Sequence, residues 1–173
     1  MIMSDDRISL LFERRSIRKF KDIPVNDESI RRIMEAAMAA PSAGNQQPWH
    51  FIVIQDRPTL DRIPDIHPYS SMIKEAPLAV LVCADLSLVK HNGMWEQDCS
   101  AATQNLLLAV QDLGLGGVWL GVYPREDRIE GLRKLLAVPN NVFPFSLIAI
   151  GHPAEEKPPT DRFLPDRIHY DRW

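Results

Sequence analysis

Apolar residues recur every three to four positions in four segments of the chain, and this spacing predicts amphipathic helices. The predicted helices cover residues 4–13, 26–40, 94–113 and 125–136. Ser4 or Asp5 can cap the first helix and Asn26 or Asp27 the second. Pro41 stops the second helix, because a proline cannot continue one. Several prolines between residues 58 and 74 predict short helices and loops there.

Short apolar runs rich in isoleucine and valine predict strands instead of helices. The predicted strands cover residues 49–54, 78–84, 117–123 and 145–151. We expect the first two to be covered on both faces, because their apolar residues are nearly continuous. Helices and strands alternate along the chain, and that order alone favours a parallel α/β sheet.

The helix predicted for residues 94–113 is apolar on more than one face. Gly114 stands where a helix of this kind commonly ends, about 30 Å from the start. Leu106, Leu107 and Leu108 are consecutive, so a single narrow stripe cannot bury all three. The helix is therefore either enclosed in the core of its own domain or part of a contact between subunits.

The composition is that of one globular domain, which we predict to cover residues 1–173. Residues 152–173 are rich in proline and charge but end on Ile168, Tyr170 and Trp173. We expect this segment to form a C-terminal arm that packs on another surface, for example that of a partner subunit.

Charge and hydropathy narrow the classes of partner and location. The formal net charge of -3 gives no general attraction to nucleic acid or to an anionic membrane. No apolar run has the length of a membrane span, and residues 1–15 do not resemble an export signal. Cys83 and Cys99 form no CxxC pair, so a reduced cytoplasmic location is expected.

Familiar catalytic motifs are absent from the sequence. It contains no HExxH, GxSxG, Walker or GxGxxG pattern, and its five histidines lack metal-ligand spacing. We therefore expect no metal site and assign no catalytic acid or base. If the protein is an enzyme, a cofactor is expected to carry the reactivity.

A basic segment, residues 14–18, follows the first predicted helix. Cations at a helix C-terminus also stabilise the helix dipole, which is one explanation for the cluster. Arg14, Ser16 and Arg18 alternate, however, so in an extended segment they would project to one side and Ile17 to the other. Two guanidinium groups and a hydroxyl on one side predict a phosphate site.

A polar loop, residues 41–47, links the second predicted helix to the first predicted strand. Its small residues permit close backbone approach, and Asn45, Gln46 and Gln47 offer both hydrogen-bond donors and acceptors. That inventory matches the edge of a flavin or a pyrimidine. A simple polar turn is an equal alternative when the loop is considered alone.

Together the two clusters resemble the N-terminal signature of the FMN-dependent nitroreductase family, in its compact members. The signature stands here as residues 14–20 and 41–49. Further matches are residues 104–108, 114–116, 119–121, 150–153, Arg162 and 169–173, so the resemblance covers nearly the whole chain in order. It implies an α+β fold, a three-layer α/β/α sandwich with a mixed, mainly antiparallel central sheet.

The resemblance also implies a site for tightly bound FMN between the subunits of a homodimer. The cofactor-binding residues it implies are Arg14, Arg15, Ser16, Arg18, Pro41, Ser42, Ala43, Asn45, Gln47, Trp119, Leu120, Gly121, Lys157 and Arg162. The basic segment and Arg162 would hold the phosphate and ribityl chain, and the polar loop would come from the other subunit. Thr160 stands where the family pattern has a basic residue, and Lys157 is a candidate replacement.

The function implied is reduction of nitroaromatic, quinone or similar electron-poor acceptors by NAD(P)H in a ping-pong cycle. NAD(P)H is expected to bind only transiently, which agrees with the missing dinucleotide fingerprint. One alternative is a dehalogenase-like or flavin-fragmenting enzyme on the same scaffold. Another is a flavin-binding sensor without enzymatic activity.

Overall fold

The computed structural model describes residues 8–173 of the chain. The α-helices are α1 (Ser9–Glu13), α2 (Asp27–Met38), α3 (Arg57–Ile66), α4 (Trp95–Asp112) and α5 (Glu126–Leu136). The strands are β1 (Trp49–Ile54), β2 (Leu78–Asp85), β3 (Gly116–Gly121) and β4 (Val142–Gly151). Short 3-10 helices cover Ala43–Asn45, Ser71–Lys74, Leu86–Leu88 and Pro165–Arg167. Residues 4–7, the start of the first predicted helix, lie outside the described residues.

The four strands form one antiparallel sheet in the order β1-β2-β4-β3. A parallel bridge between Ser16 and Gly117 adds the basic segment beside β3 and makes the sheet mixed. The α+β fold implied by the family resemblance is therefore confirmed. The parallel sheet favoured by the alternation of elements is wrong, because hydrophobic periodicity reports which faces are buried and not the direction of a strand.

Both faces of the sheet are covered by helices, because the side chains of β2 alternate between two buried cores. Leu81 and Cys83 belong to the core that includes apolar residues of α3 and α5. Val80 and Val82 belong to the core that includes residues of α2 and α4. The arrangement is the expected three-layer α/β/α sandwich.

Helix α4 is buried from two sides, by α2 and by the sheet. Leu106 and Leu107 are buried, whereas Leu108 is half-buried. The helix ends at the predicted position, where Gly114 adopts a φ of 69°. Within one chain, α2 and the sheet already explain the apolar width of the helix.

Strand β1 corrects one expectation. It lies at an edge of the sheet, and both His50 and Val53 are exposed. The predicted covering on both faces is therefore wrong for β1. It is correct for β2, whose residues from Leu78 to Ala84 are all buried between two neighbouring strands and two helical layers.

Candidate functional site

The basic segment lies against the free edge of β3. The amide of Ile17 donates to the carbonyl of Gly117 at 3.1 Å, and the Ile17 side chain is buried. A Cβ on Gly116 would stand 2.8 Å from the Ile17 side chain, so glycine is needed for this close approach. Ile17 thus anchors the segment, and the neighbouring Ser16 and Arg18 are held at fixed positions beside the strand.

The chain after β4 returns to the same segment. The amide of Arg18 donates to Glu155 Oε1 at 2.5 Å, and Lys157 Nζ donates to the carbonyl of Ser16 at 2.5 Å. Lys157 also pairs with Glu155 at 3.2 Å. The Lys157 ammonium is therefore already bound to a carbonyl and a carboxylate of its own chain, while Thr160 is half-buried.

Four guanidinium groups of the predicted phosphate site make neither an ion pair nor a side-chain hydrogen bond with any residue in the range 8–173. They belong to Arg14, Arg15, Arg18 and Arg162. The pKa of Arg14 is lowered by burial, and then by the positive charges of Arg162 and Arg15. Arg162 therefore lies close enough to Arg14 for mutual repulsion. An anion between these cations would relieve it.

A cavity of about 470 Å³ opens next to the end of β3. It brings together four of the predicted site residues, Arg18, Trp119, Leu120 and Gly121. Its remaining lining residues are His67, Tyr69, Ser71, Met72 and Arg128. Sequence reasoning missed these residues, because the segment that carries most of them resembles a proline-rich loop without a motif.

The polar loop adopts a backbone shape that is costly for most residues. Gly44, Asn45 and Gln47 have φ angles of 55°, 54° and 46°. Each lies in the left-handed region, where glycine and asparagine are the residues best tolerated. Such a shape persists only when the surroundings hold it.

Asp98, near the start of α4, supplies that support. Its carboxylate accepts from the Ala43 amide at 2.9 Å and from Gln46 Nε2 at 2.6 Å, and its side chain is buried. Gln46 Oε1 in turn accepts from the amides of Lys90 and His91. Sequence reasoning missed Asp98, although a carboxylate on the apolar face of a helix is a signal that could have found it.

Pro41, Ser42 and Ala43 line a second cavity, of about 410 Å³, against the start of α4. Asn45 and Gln47 are exposed next to it and are joined by a hydrogen bond of 3.1 Å. The polar loop leads into β1 and the basic segment lies beside β3, at opposite edges of the sheet. With strands about 4.8 Å apart, these two edges are about 14 Å apart. A single chain therefore does not bring the two clusters together.

An antiparallel sheet between two helical layers, with unpaired cations at one edge, defines an α+β protein with a candidate anion site. Across residues 8–173, no helix combines the length and apolar character that crossing a bilayer requires. Nor do those residues contain a cluster of three metal-ligating side chains. The model of the Nitroreductase family matches residues 11–67 and 65–152, and the chain belongs to that family.

Relatives of the chain have names that agree with this assignment. A protein of Methanothermobacter thermautotrophicus, provisionally named NADH dehydrogenase/NAD(P)H nitroreductase, is 53% identical over 97% of this chain and 88% of its own length. A solved FMN-dependent nitroreductase of Clostridium difficile shares 31% identity, with a TM-score of 0.89 over 96% of this chain and 99% of its own. A solved Desulfovibrio desulfuricans protein, provisionally named a nitroreductase and in complex with FMN, shares 34% identity, with a TM-score of 0.83 over 96% of each chain.

Proposed function

We propose that this protein is an FMN-dependent oxidoreductase that uses NAD(P)H to reduce nitroaromatic, quinone or similar electron-poor acceptors. Family membership supports the proposal, as do the FMN and NAD(P)H in the names of its relatives. The observation that carries it is the cluster of unpaired guanidinium groups at the edge of β3. Such a cluster can bind an anion, and the phosphate of FMN is one.

The residues around the cluster fit that phosphate. Arg14 and Arg162 repel each other and would share an anion, and Arg18 and the Ser16 hydroxyl lie on the same segment. Charge-assisted hydrogen bonds of this kind contribute about 1.5–3 kcal/mol each. Because Lys157 is already bound within the chain, we propose that it orients Ser16 and that Arg162 contacts the phosphate.

FMN held at this site would supply the redox chemistry, as acceptor of a hydride from NAD(P)H and donor of electrons to the final acceptor. In this proposal Trp119, Leu120 and Gly121 form the wall against which its ring lies. Leu120 is buried and Trp119 packs edge to face on Phe145 at 6.0 Å, so this wall is rigid. No side chain is assigned as acid or base. The reductant and the acceptor would use the same open face of the flavin ring, one after the other.

We further propose a homodimer in which the polar loop reaches the flavin of the partner. The opposite placement of the two clusters supports this arrangement. So does the C-terminal arm, because Tyr170 and Trp173 are 85% and 101% exposed in the single chain. Leu11 and Phe12 of α1 are also about half exposed, and large exposed apolar side chains of this kind indicate a contact surface.

A cytoplasmic location is also proposed. Cys83 and Cys99 are both free and buried, and burial raises the pKa of the Cys83 thiol to about 12. Buried thiols with so high a pKa are protonated and unreactive, and the two cysteines form no disulfide with each other.

The proposal is tested by purifying the protein and measuring its bound flavin, its native mass and its steady-state kinetics. We expect a yellow dimer with one FMN per chain that oxidises NADH or NADPH with a quinone or a nitroaromatic. Double-reciprocal plots at several acceptor concentrations should be parallel, and intersecting lines would contradict the shared open face. A yellow protein that oxidises neither nucleotide would instead be a flavin-binding sensor.

A further inference from the structure

In the cavity beside β3, two side chains approach the same backbone carbonyl oxygen. His67 Nε2 lies 2.9 Å from the carbonyl oxygen of Gly121, and Arg128 NH1 donates to the same oxygen at 2.6 Å. The Tyr69 amide donates to His67 Nδ1 at 3.3 Å, so Nε2 must bear the hydrogen of a neutral ring. His67 thus uses both of its ring nitrogens and is closed to any further ligand.

Arg128, by contrast, keeps unused hydrogen-bonding capacity. It makes no ion pair with any carboxylate in the described range, and its Nε is buried without a hydrogen-bond partner. Its guanidinium lies over the ring of Tyr69, 5.6 Å from the centroid. The Gly121 carbonyl and the Tyr69 ring therefore hold the cation in place without neutralising its charge.

The same cavity is lined by Arg18, assigned above to the phosphate, and by the wall of Trp119, Leu120 and Gly121 that is assigned to the flavin ring. Tyr69 and Met72, which are not assigned to the flavin, add flat and polarisable surface, and Arg128 lines the same cavity of about 470 Å³. Arg128 is not assigned to the phosphate site: it is bound to Gly121 at the end of β3, whereas Ser16 of the basic segment lies beside Gly117 near the start of that strand. An aromatic molecule with a negative substituent matches this lining.

We propose that the Arg128 end of the cavity binds the anionic group, a carboxylate or a sulfonate, of an aromatic electron acceptor. Arg128 is then a specificity-determining residue that makes the enzyme prefer charged acceptors over neutral ones of the same ring system. This inference rests on the proposed oxidoreductase function.

The first test compares 1,4-naphthoquinone with its 2-sulfonate, using the flavin-loaded enzyme. We expect Arg128→Gln to lower kcat/KM for the sulfonate about tenfold, because one charge-assisted contact is lost. The value for the neutral quinone should fall less than twofold. Arg128→Lys should retain most of the preference, since it keeps the charge. Lys134→Gln, an exposed charge removed from the same helix, is the matched control and should change neither value.

Two measurements separate this role from the alternatives. If Arg128→Gln lowers kcat/KM for both quinones equally and shifts the flavin midpoint potential, Arg128 acts on the flavin and the inference is wrong. An effect confined to NADPH relative to NADH would overturn it too. We expect instead an unchanged potential and weaker binding of 2-naphthalenesulfonate, measured by the change in flavin absorption.

A third experiment needs no variant. In the wild-type enzyme, raising NaCl from 20 to 500 mM should reduce the preference for the sulfonate, because salt screens a partly exposed charge pair. A preference that salt and Arg128→Gln both leave unchanged overturns the inference, even though the enzyme still reduces both quinones. A protein that binds no flavin and reduces neither quinone overturns the proposed function itself.

Discussion

The basic segment and the polar loop contain similar numbers of polar side chains. Those of the polar loop are hydrogen-bonded within the chain, whereas the guanidinium groups of the basic segment are not. In the polar loop, Ala43 and Gln46 donate to Asp98, and Gln46 accepts from two further amides. In the basic segment, the backbone is bound to Gly117 and to the chain after β4, whereas the guanidinium groups of Arg14 and Arg18 have no partner in residues 8–173.

This difference separates residues that maintain a shape from residues that are available to a ligand. Polar groups satisfied inside the chain stabilise the fold, and their loss destabilises it. Unpaired cations contribute little to stability and gain a partner only when an anion binds. Substitutions in the two regions should therefore have separable effects, on stability in one and on ligand affinity in the other.

The largest effect is expected from Arg14→Ala combined with Arg18→Ala. Loss of two charge-assisted contacts should weaken FMN binding by roughly 100-fold to 10,000-fold, corresponding to about 3–6 kcal/mol. Fluorescence titration of the apoprotein with FMN measures the affinity. The purified variant should be colourless but fold normally by circular dichroism.

The double variant Arg62→Ala and Lys134→Ala is its control, since both side chains are exposed on helices and neither belongs to the predicted phosphate site. This control should keep its flavin. Stoichiometric FMN in the Arg14 and Arg18 variant would show that these side chains do not hold the phosphate.

Asp98→Ala should have the next largest effect, and on stability. Two donors, the part-buried Ala43 amide and the buried Gln46 Nε2, would lose their acceptor, which costs about 2–4 kcal/mol of the free energy of unfolding. Urea denaturation of the apoprotein measures this loss. Asp98→Asn should be milder, because its amide oxygen can still accept one of the two hydrogen bonds.

Asp112→Ala, at the exposed far end of the same helix, is the control and should stay within about 0.5 kcal/mol of wild type. The comparison between the two regions would fail if Asp98→Ala were as stable as wild type, or if the Arg14 and Arg18 variant were equally destabilised.

Trp173→Ala extends the comparison to apolar groups that lack a partner in the single chain. If the arm packs on a second subunit, loss of this side chain should weaken dimerisation by about 2 kcal/mol, or roughly 30-fold in the dissociation constant. Analytical ultracentrifugation over a range of concentrations measures it. Val53→Ala removes an exposed apolar side chain from β1, serves as the control and should leave the dimer unchanged. Equal effects of Trp173→Ala and Val53→Ala on the dissociation constant would argue against the arm as an interface.

The smallest effect concerns His67, a group satisfied inside the chain. Burial holds the pKa of His67 below the ordinary value of 6.5. As the pH falls below that value, the unfolded chain therefore binds a proton more readily than the folded chain does. Its contribution to stability is present above about pH 6.5 and is lost below it. Between pH 7 and pH 5, wild type should therefore lose more stability in urea denaturation than His67→Gln, whose amide can still donate to Gly121. The exposed His169→Gln serves as control, and identical pH slopes for all three proteins would contradict a buried neutral His67.

The site was predictable from sequence where it is continuous along the chain. Residues 14–18 and 41–47 each form a local pattern whose chemistry can be recognised without a structure. Asp98 and His67 were not predicted, because each acts on a partner far away in sequence. Asp98 reaches Ala43 across 55 positions, and His67 reaches Gly121 across 54.

Hydrophobic spacing by itself determined the segments that form α2, α4, α5 and the four strands, because that spacing is a local property of the backbone. The sequence also determined that two polar clusters occur in the order typical of one family. Only the tertiary structure decided that the sheet is antiparallel, that β1 is an exposed edge, and that the two clusters lie at opposite edges. Strand direction and order depend on packing between distant segments, and no local pattern along a single chain encodes that packing.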